Sequence, residues 1–156
     1  MKPNIGISEN HLKNIVDLLT KSLADEVTLY TKIRKFHWNV AGESFMELHK
    51  LFQAQYTELE ETIDEIAERI NKLGGKTIVT MQEFLEITSI KETPSTYPNQ
   101  KEMMKELLAD HETIIKELRK NINESTDNKD AGTADFFTGL IQQHETMAWI
   151  LRRYLS

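Results

Sequence analysis

Four side chains of metal-ligating type fall within one stretch of the chain: His37, His49, Asp64 and Glu68. The histidines are twelve residues apart and the acids four apart. Taken singly, each has an ordinary explanation. Two acids four apart on a helix usually form a solvated face, and a histidine beside an apolar stripe usually packs in a core. Two imidazoles and two carboxylates gathered in one stretch make a mixed ligand set for a transition-metal ion.

The elements that must position them are helical. Ser44 followed by Glu47 reads as a capping box, starting a helix at about Ser44. Leu48, Phe52, Leu59, Ile63, Ile66 and Ile70 recur at helical spacing, and Gly74-Gly75 ends the run. On that helix Asp64 and Glu68 are neighbours one turn apart. His49 projects from the same side, on the flank of the stripe. Yet His49 and Asp64 are fifteen residues apart, about 22 Å at a rise of roughly 1.5 Å per residue. No single metal ion spans that distance. If histidines and acids serve one centre, they come from two chains. An antiparallel, two-fold related pair of these helices sets the histidine end of one against the acid end of the other. Symmetry then gives two equivalent sites.

The residues His37-Trp38-Asn39-Val40, Gly42, Phe45, Leu48-His49, Asp64 and Ala67-Glu68-Arg69 closely resemble the signature of the Dps family. These are the mini-ferritins named for DNA protection during starvation. The resemblance implies an iron-oxidising site at a dimer interface, with His37, His49, Asp64 and Glu68 as its catalytic and metal-binding residues. It implies Fe(II) and hydrogen peroxide as reactants, up to two iron ions (Fe2+/Fe3+) per site, and ferric mineral held in a hollow shell. That shell is a dodecamer built from two-fold dimers. The family usually carries an acid four residues after the second histidine. Here that position is Gln53, a neutral oxygen donor and a weaker contact for a second iron, because hard divalent cations prefer carboxylate. The resemblance also implies that Asp130 and Asp135 line a three-fold pore for iron entry. Capping and dipole complementarity at the start of the last helix account for the same two acids without a pore.

Composition narrows the class. The 156 residues suit one domain, 1–156. There is no cysteine, hence no disulfide framework and no thiolate metal site, which fits a cytoplasmic protein. No secretory signal or membrane span is expected. With 25 acids against 19 bases the net charge is −6, and only Lys2 precedes the first predicted helix. Phosphate-backbone affinity comes from Lys and Arg, so DNA binding is expected to be weak or absent.

The whole pattern predicts an all-α chain, a ferritin-like four-helix bundle with a short extra helix in the crossover between its second and third long helices. The first helix runs from about Ser8 to Val40, with an apolar arc of Ile15, Leu18, Leu19, Leu23, Val27, Tyr30, Ile33 and Phe36 wide enough to serve more than one neighbour. The second runs from Ser44 to Leu73. Residues 74–98 cross over along an up-down-up-down bundle and hold the short helix at about Thr80–Ile87, capped by Thr80 and Glu83. The third long helix spans Asn99–Asn123, with His111 on its core stripe. Ser125 to Asp130 form a polar loop, and the last helix runs from Asp130–Thr133 to about Leu155. An enzyme with its metal in the bundle core would carry Glu-x-x-His motifs; no Glu lies three residues before any histidine here. The remaining alternative is a non-catalytic nucleoid-binding or structural shell that has lost its metal.

Overall fold

The computed structural model describes residues 2–156 as five helices, with no strand among the described residues. They are α1 (Glu9–Asn39), α2 (Phe45–Lys72), α3 (Met81–Ile87), α4 (Gln100–Asp127) and α5 (Ala131–Leu155). Three starts follow the capping residues of the sequence. Ser8 accepts from the His11 N–H, Asn99 accepts from the Glu102 N–H, and Thr80 and Glu83 form a reciprocal capping box. Ser44 does not use its side chain. Its backbone, at φ −93° and ψ 28°, lies outside the extended conformation of a capping residue, and the hydroxyl makes no capping bond. The turn closes instead through the backbone, with the Phe45 N–H donating to the Gly42 carbonyl.

Two helix ends obey one rule. Gly74 (φ +83°) follows α2, and the Gly74 and Gly75 amides return to the carbonyls of Asn71 and Ile70. Lys129 (φ +64°) follows α4, and the Lys129 and Asp130 amides return to Thr126 and Ser125. That second motif lengthens α4 to Asp127, beyond the expected end at Asn123. Ser125, read as loop from its polar neighbours, is fully buried. Asp130 closes α4 and caps α5 in the same step, leaving almost no loop.

Contacts along the helices set their directions. Tyr30 meets Tyr56, and His37 meets His49, so α1 and α2 are antiparallel. Lys32 pairs with Asp110 and Lys21 with Glu117, so α1 and α4 are antiparallel too. Arg119 reaches Glu145 and Arg152 reaches Glu112, making α4 and α5 antiparallel. The order is therefore up-down-down-up, not up-down-up-down. A crossover is needed because α2 and α4 run the same way and their facing ends lie at opposite poles of the bundle. Within it, α3 docks on α1: Phe84 is buried, and buried Asp25 accepts from the Thr88 hydroxyl at 2.9 Å and the Ser89 amide at 2.5 Å.

The core is apolar from Ile15 and Leu19 through Phe36, Phe52, Leu59, Ile66, Leu107 and Phe137, with one polar seam. Glu26 on α1, His111 on α4 and His144 on α5 are all fully buried. The His144 Nε2 lies 2.8 Å from a Glu26 oxygen, and its Nδ1 lies 2.9 Å from the His111 Nδ1. His144 gives one ring nitrogen to each partner, so the three groups form a line across three helices and do not converge on a point. His111 is a core histidine, as expected. Burial holds it well below the ordinary histidine value, and neighbouring His144 adds to the effect. Among the described residues, no helix is long and apolar enough to cross a membrane.

Two predictions follow from these contacts. Lys129→Gly relieves a left-handed backbone and raises stability by up to about 1 kcal/mol, measured as a higher urea midpoint at unchanged slope. His111 is neutral when folded but protonates in the unfolded chain below about 6.5. Its contribution is complete above that value and is lost as pH falls beneath it, by about 1.4 kcal/mol per pH unit. Urea midpoints measured from about pH 7 to about pH 5 fall for the native chain and fall less steeply for His111→Leu.

Candidate metal centre

The turn between α1 and α2 is short, so the last turn of α1 lies against the first turns of α2. There His37 and His49 hold each other in a reciprocal clamp. The His37 Nδ1 is 2.8 Å from the His49 carbonyl oxygen, and the His49 Nδ1 is 3.0 Å from the His37 carbonyl oxygen. A carbonyl only accepts, so each Nδ1 carries its hydrogen and donates. In the neutral imidazole each Nε2 is then an unprotonated lone pair. The rings stack with centroids 3.8 Å apart and planes 20° apart. Tyr56 meets His37 edge-on at 5.2 Å, and Phe45 lies 5.1 Å from His49. His37 is buried and His49 half-buried. Neutral, oriented imidazoles with a fixed tautomer are what a metal ion requires.

Asp64 and Glu68 stand on the exposed face of α2, far along the helix from His49. Glu68 accepts from the Lys72 ammonium at 2.9 Å, and that hydrogen bond, with the lysine charge, lowers its pKa. Asp64 lines a shallow surface hollow with Glu60, Glu61 and Ala67. Within a single chain, no three His, Asp or Glu side chains among the described residues are grouped to hold a metal. The structure therefore brings the two histidines together and leaves the two acids apart from them. Gln53 is exposed, one turn beyond His49.

Asp130 is buried and fully engaged. One oxygen takes the Thr133 amide at 2.9 Å and an Arg69 nitrogen at 3.4 Å; the other takes the Thr133 hydroxyl. Capping explains it. Asp135 is exposed and shares a cleft with Glu58, Glu61 and Glu65 of α2. Sequence reasoning passed over Tyr56, which stands seven residues after His49 and hence two turns along the same helix face. It also passed over Glu26 and His144, because a lone acid or histidine on a core stripe carries no local pattern.

The chain is similar to known proteins along most of its length. Residues 16–156 match the family described as ferritin-like domain. DNA protection during starvation protein 2 of Bacillus anthracis is 40% identical over 145 residues, covering 92% of this chain and 98% of that protein. An uncharacterized low temperature-induced protein of Nostoc is 41% identical over 154 residues, covering 98% of this chain and 86% of that protein. Among solved structures, Dps from Thermosynechococcus elongatus superposes with a TM-score of 0.90 at 32% identity, over 94% of this chain and 93% of the other. The Dps protein of Vibrio cholerae, described as a member of a broad superfamily of ferritin-like diiron-carboxylate proteins, gives 0.93 at 27% identity, over 99% and 97%. With its paired imidazoles at the α1–α2 turn and matches of this length, the chain belongs to the ferritin-like family, as a member of its Dps branch.

Proposed function

We propose that this protein oxidises Fe(II) and stores the ferric product, at sites completed only where two copies meet. The observation that carries the reading is the clamp: both Nδ1 atoms are spent on carbonyls, so both Nε2 atoms are free for a metal. His37 and His49 of one chain supply the nitrogen ligands. Asp64 and Glu68 of an antiparallel second chain supply the anionic oxygens. Two carboxylates balance the charge of one Fe(II) and gain strength as the ion turns ferric, while neutral imidazoles suit the ferrous state. Gln53 stands where a second iron would look for an acid and offers a weaker contact.

Hydrogen peroxide is the proposed oxidant. Each peroxide accepts two electrons, one from the Fe(II) held by the two histidines and two acids and one from a second Fe(II) held only weakly beside it. The O–O bond breaks to give two hydroxides, and both ferric ions hydrolyse to mineral with release of protons. Removing both reactants together prevents hydroxyl-radical formation, which is the protective role. Large apolar side chains left uncovered on α3 and its flank (Val79, Met81, Leu85 and Ile87) support association with further copies. We place the protein in the cytoplasm as a dodecamer of two-fold dimers. Asp135, with its acidic neighbours on α2, is the proposed lining of an iron-entry pore; Asp130 fixes the start of the helix that presents it. At a net charge of −6, DNA binding is weak or absent.

Anaerobic titration of the assembled protein with Fe(II) shows saturable binding, and peroxide added afterwards gives a fast oxidation phase. His37→Ala and Glu68→Ala keep the assembly size by gel filtration and slow that phase by at least about tenfold. A wild-type protein that binds no Fe(II) would instead leave the non-catalytic shell standing.

A further inference from the structure

One cation stands beside the paired imidazoles. Arg34 precedes His37 by one helical turn on the same side of α1. Its guanidinium carbon lies 5.4 Å from the Tyr30 ring centroid, 5.1 Å from Trp38 and 4.9 Å from Tyr56. A terminal nitrogen donates to the Tyr30 hydroxyl. The Tyr56 ring is the same ring that meets His37 edge-on at 5.2 Å, so a single aromatic side chain separates the guanidinium from the imidazole. The Arg34 Nε is buried with no acceptor in its own chain. A guanidinium does not lose its proton in a protein, and three ring systems both attract it and restrict its rotamers. It is a fixed positive charge.

Its position along the bundle decides what it faces. Tyr30 lies opposite Tyr56 and His37 opposite His49, so Arg34 is level with α2 near Gln53. In the antiparallel pair proposed above, that level lies between the histidine end of one α2 and the Asp64–Glu68 turn of the other. Those two carboxylates suffice for one divalent ion. A second ion would arrive where the extra acid is replaced by neutral Gln53 and where a guanidinium already stands.

We propose that Arg34, with Gln53, makes each interface pocket a one-metal site: the arginine supplies as a fixed charge what a second metal would supply, and so positions the partner's carboxylates on the first. This rests on the iron-site reading above, and the two fail in different ways.

The test is anaerobic titration with Fe(II), and separately with Co(II) followed by its visible absorption, on the assembled protein. Four variants accompany the native chain: Arg34→Lys, Arg34→Met, Gln53→Asp, and Arg34→Met with Gln53→Asp. Gel filtration confirms equal assembly size. The native chain and Arg34→Lys bind one metal per chain. Gln53→Asp gains a second only weakly. The double variant binds two per chain, the second at least about tenfold more tightly than in Gln53→Asp, the change expected from removing one nearby like charge. Two comparably tight ions per native chain, or a full second site in Gln53→Asp with Arg34 in place, would overturn the proposal alone. No metal bound by the native chain would overturn the iron-site reading and this proposal with it.

Discussion

The orientation of the candidate nitrogen ligands depends on two hydrogen bonds that cross the α1–α2 turn. The last carbonyls of a helix have no partner within it, and the His37 carbonyl is one of these. The His49 imidazole supplies that partner, and the His37 imidazole returns the favour to the His49 carbonyl. The backbone ends α1 with the Val40 amide on the Phe36 carbonyl, and the two imidazole bonds tie that end to the first turns of α2 while fixing both tautomers. The hairpin thus holds both imidazoles in one orientation. Stacking of the rings, with Tyr56 and Phe45 against them, removes the remaining rotational freedom.

The rest of the bundle directs the chemistry outward. Its centre is closed by packed aliphatics and by the Glu26–His144–His111 line, whose central imidazole faces both ways and leaves no common point for an ion. Ligand-type side chains lie instead at two places, the histidines where the end of α1 meets the start of α2 and the acids on the exposed face of α2, too far apart to serve one ion within a chain. The proposed antiparallel second copy would resolve this, because a two-fold axis sets unlike ends of like helices together. Arg34 fits the same logic: a charge caged by rings and short of an acceptor makes sense beside another chain's carboxylates.

Much of this was legible in the residues, for reasons that can be named. Ser8, Thr80 and Asn99 cap as their types predict, and the stripes of α1 and α2 bury Leu19, Leu23, Phe52 and Ile66 as their spacing predicts. The histidine pair and the helical distance to the acids were readable because helix rise is constant. What failed was information not held locally. Polarity marks loops only on average: buried Ser125 belongs to α4, which runs on to Asp127 before the left-handed Lys129 ends it. Ser44 resembles a cap, but its own backbone angles withhold the hydroxyl. Helix directions follow from which ends the crossover joins. Buried Glu26, Lys32 and His144 become acceptable only through partners far along the chain, and no single stretch shows those partners.

The central claim is that each site is shared between chains, and mixed assembly tests it most directly. One variant carries His37→Ala and His49→Ala; the other carries Asp64→Ala and Glu68→Ala. Each alone lacks one half of every site and gives no fast Fe(II) oxidation. Refolded together at equal amounts, random pairing makes half the dimers mixed, and each mixed dimer rebuilds one of its two sites. The account predicts recovery of about a quarter of the native fast phase. Two inactive variants that stay inactive after co-assembly, or fast oxidation by either one alone, would contradict it.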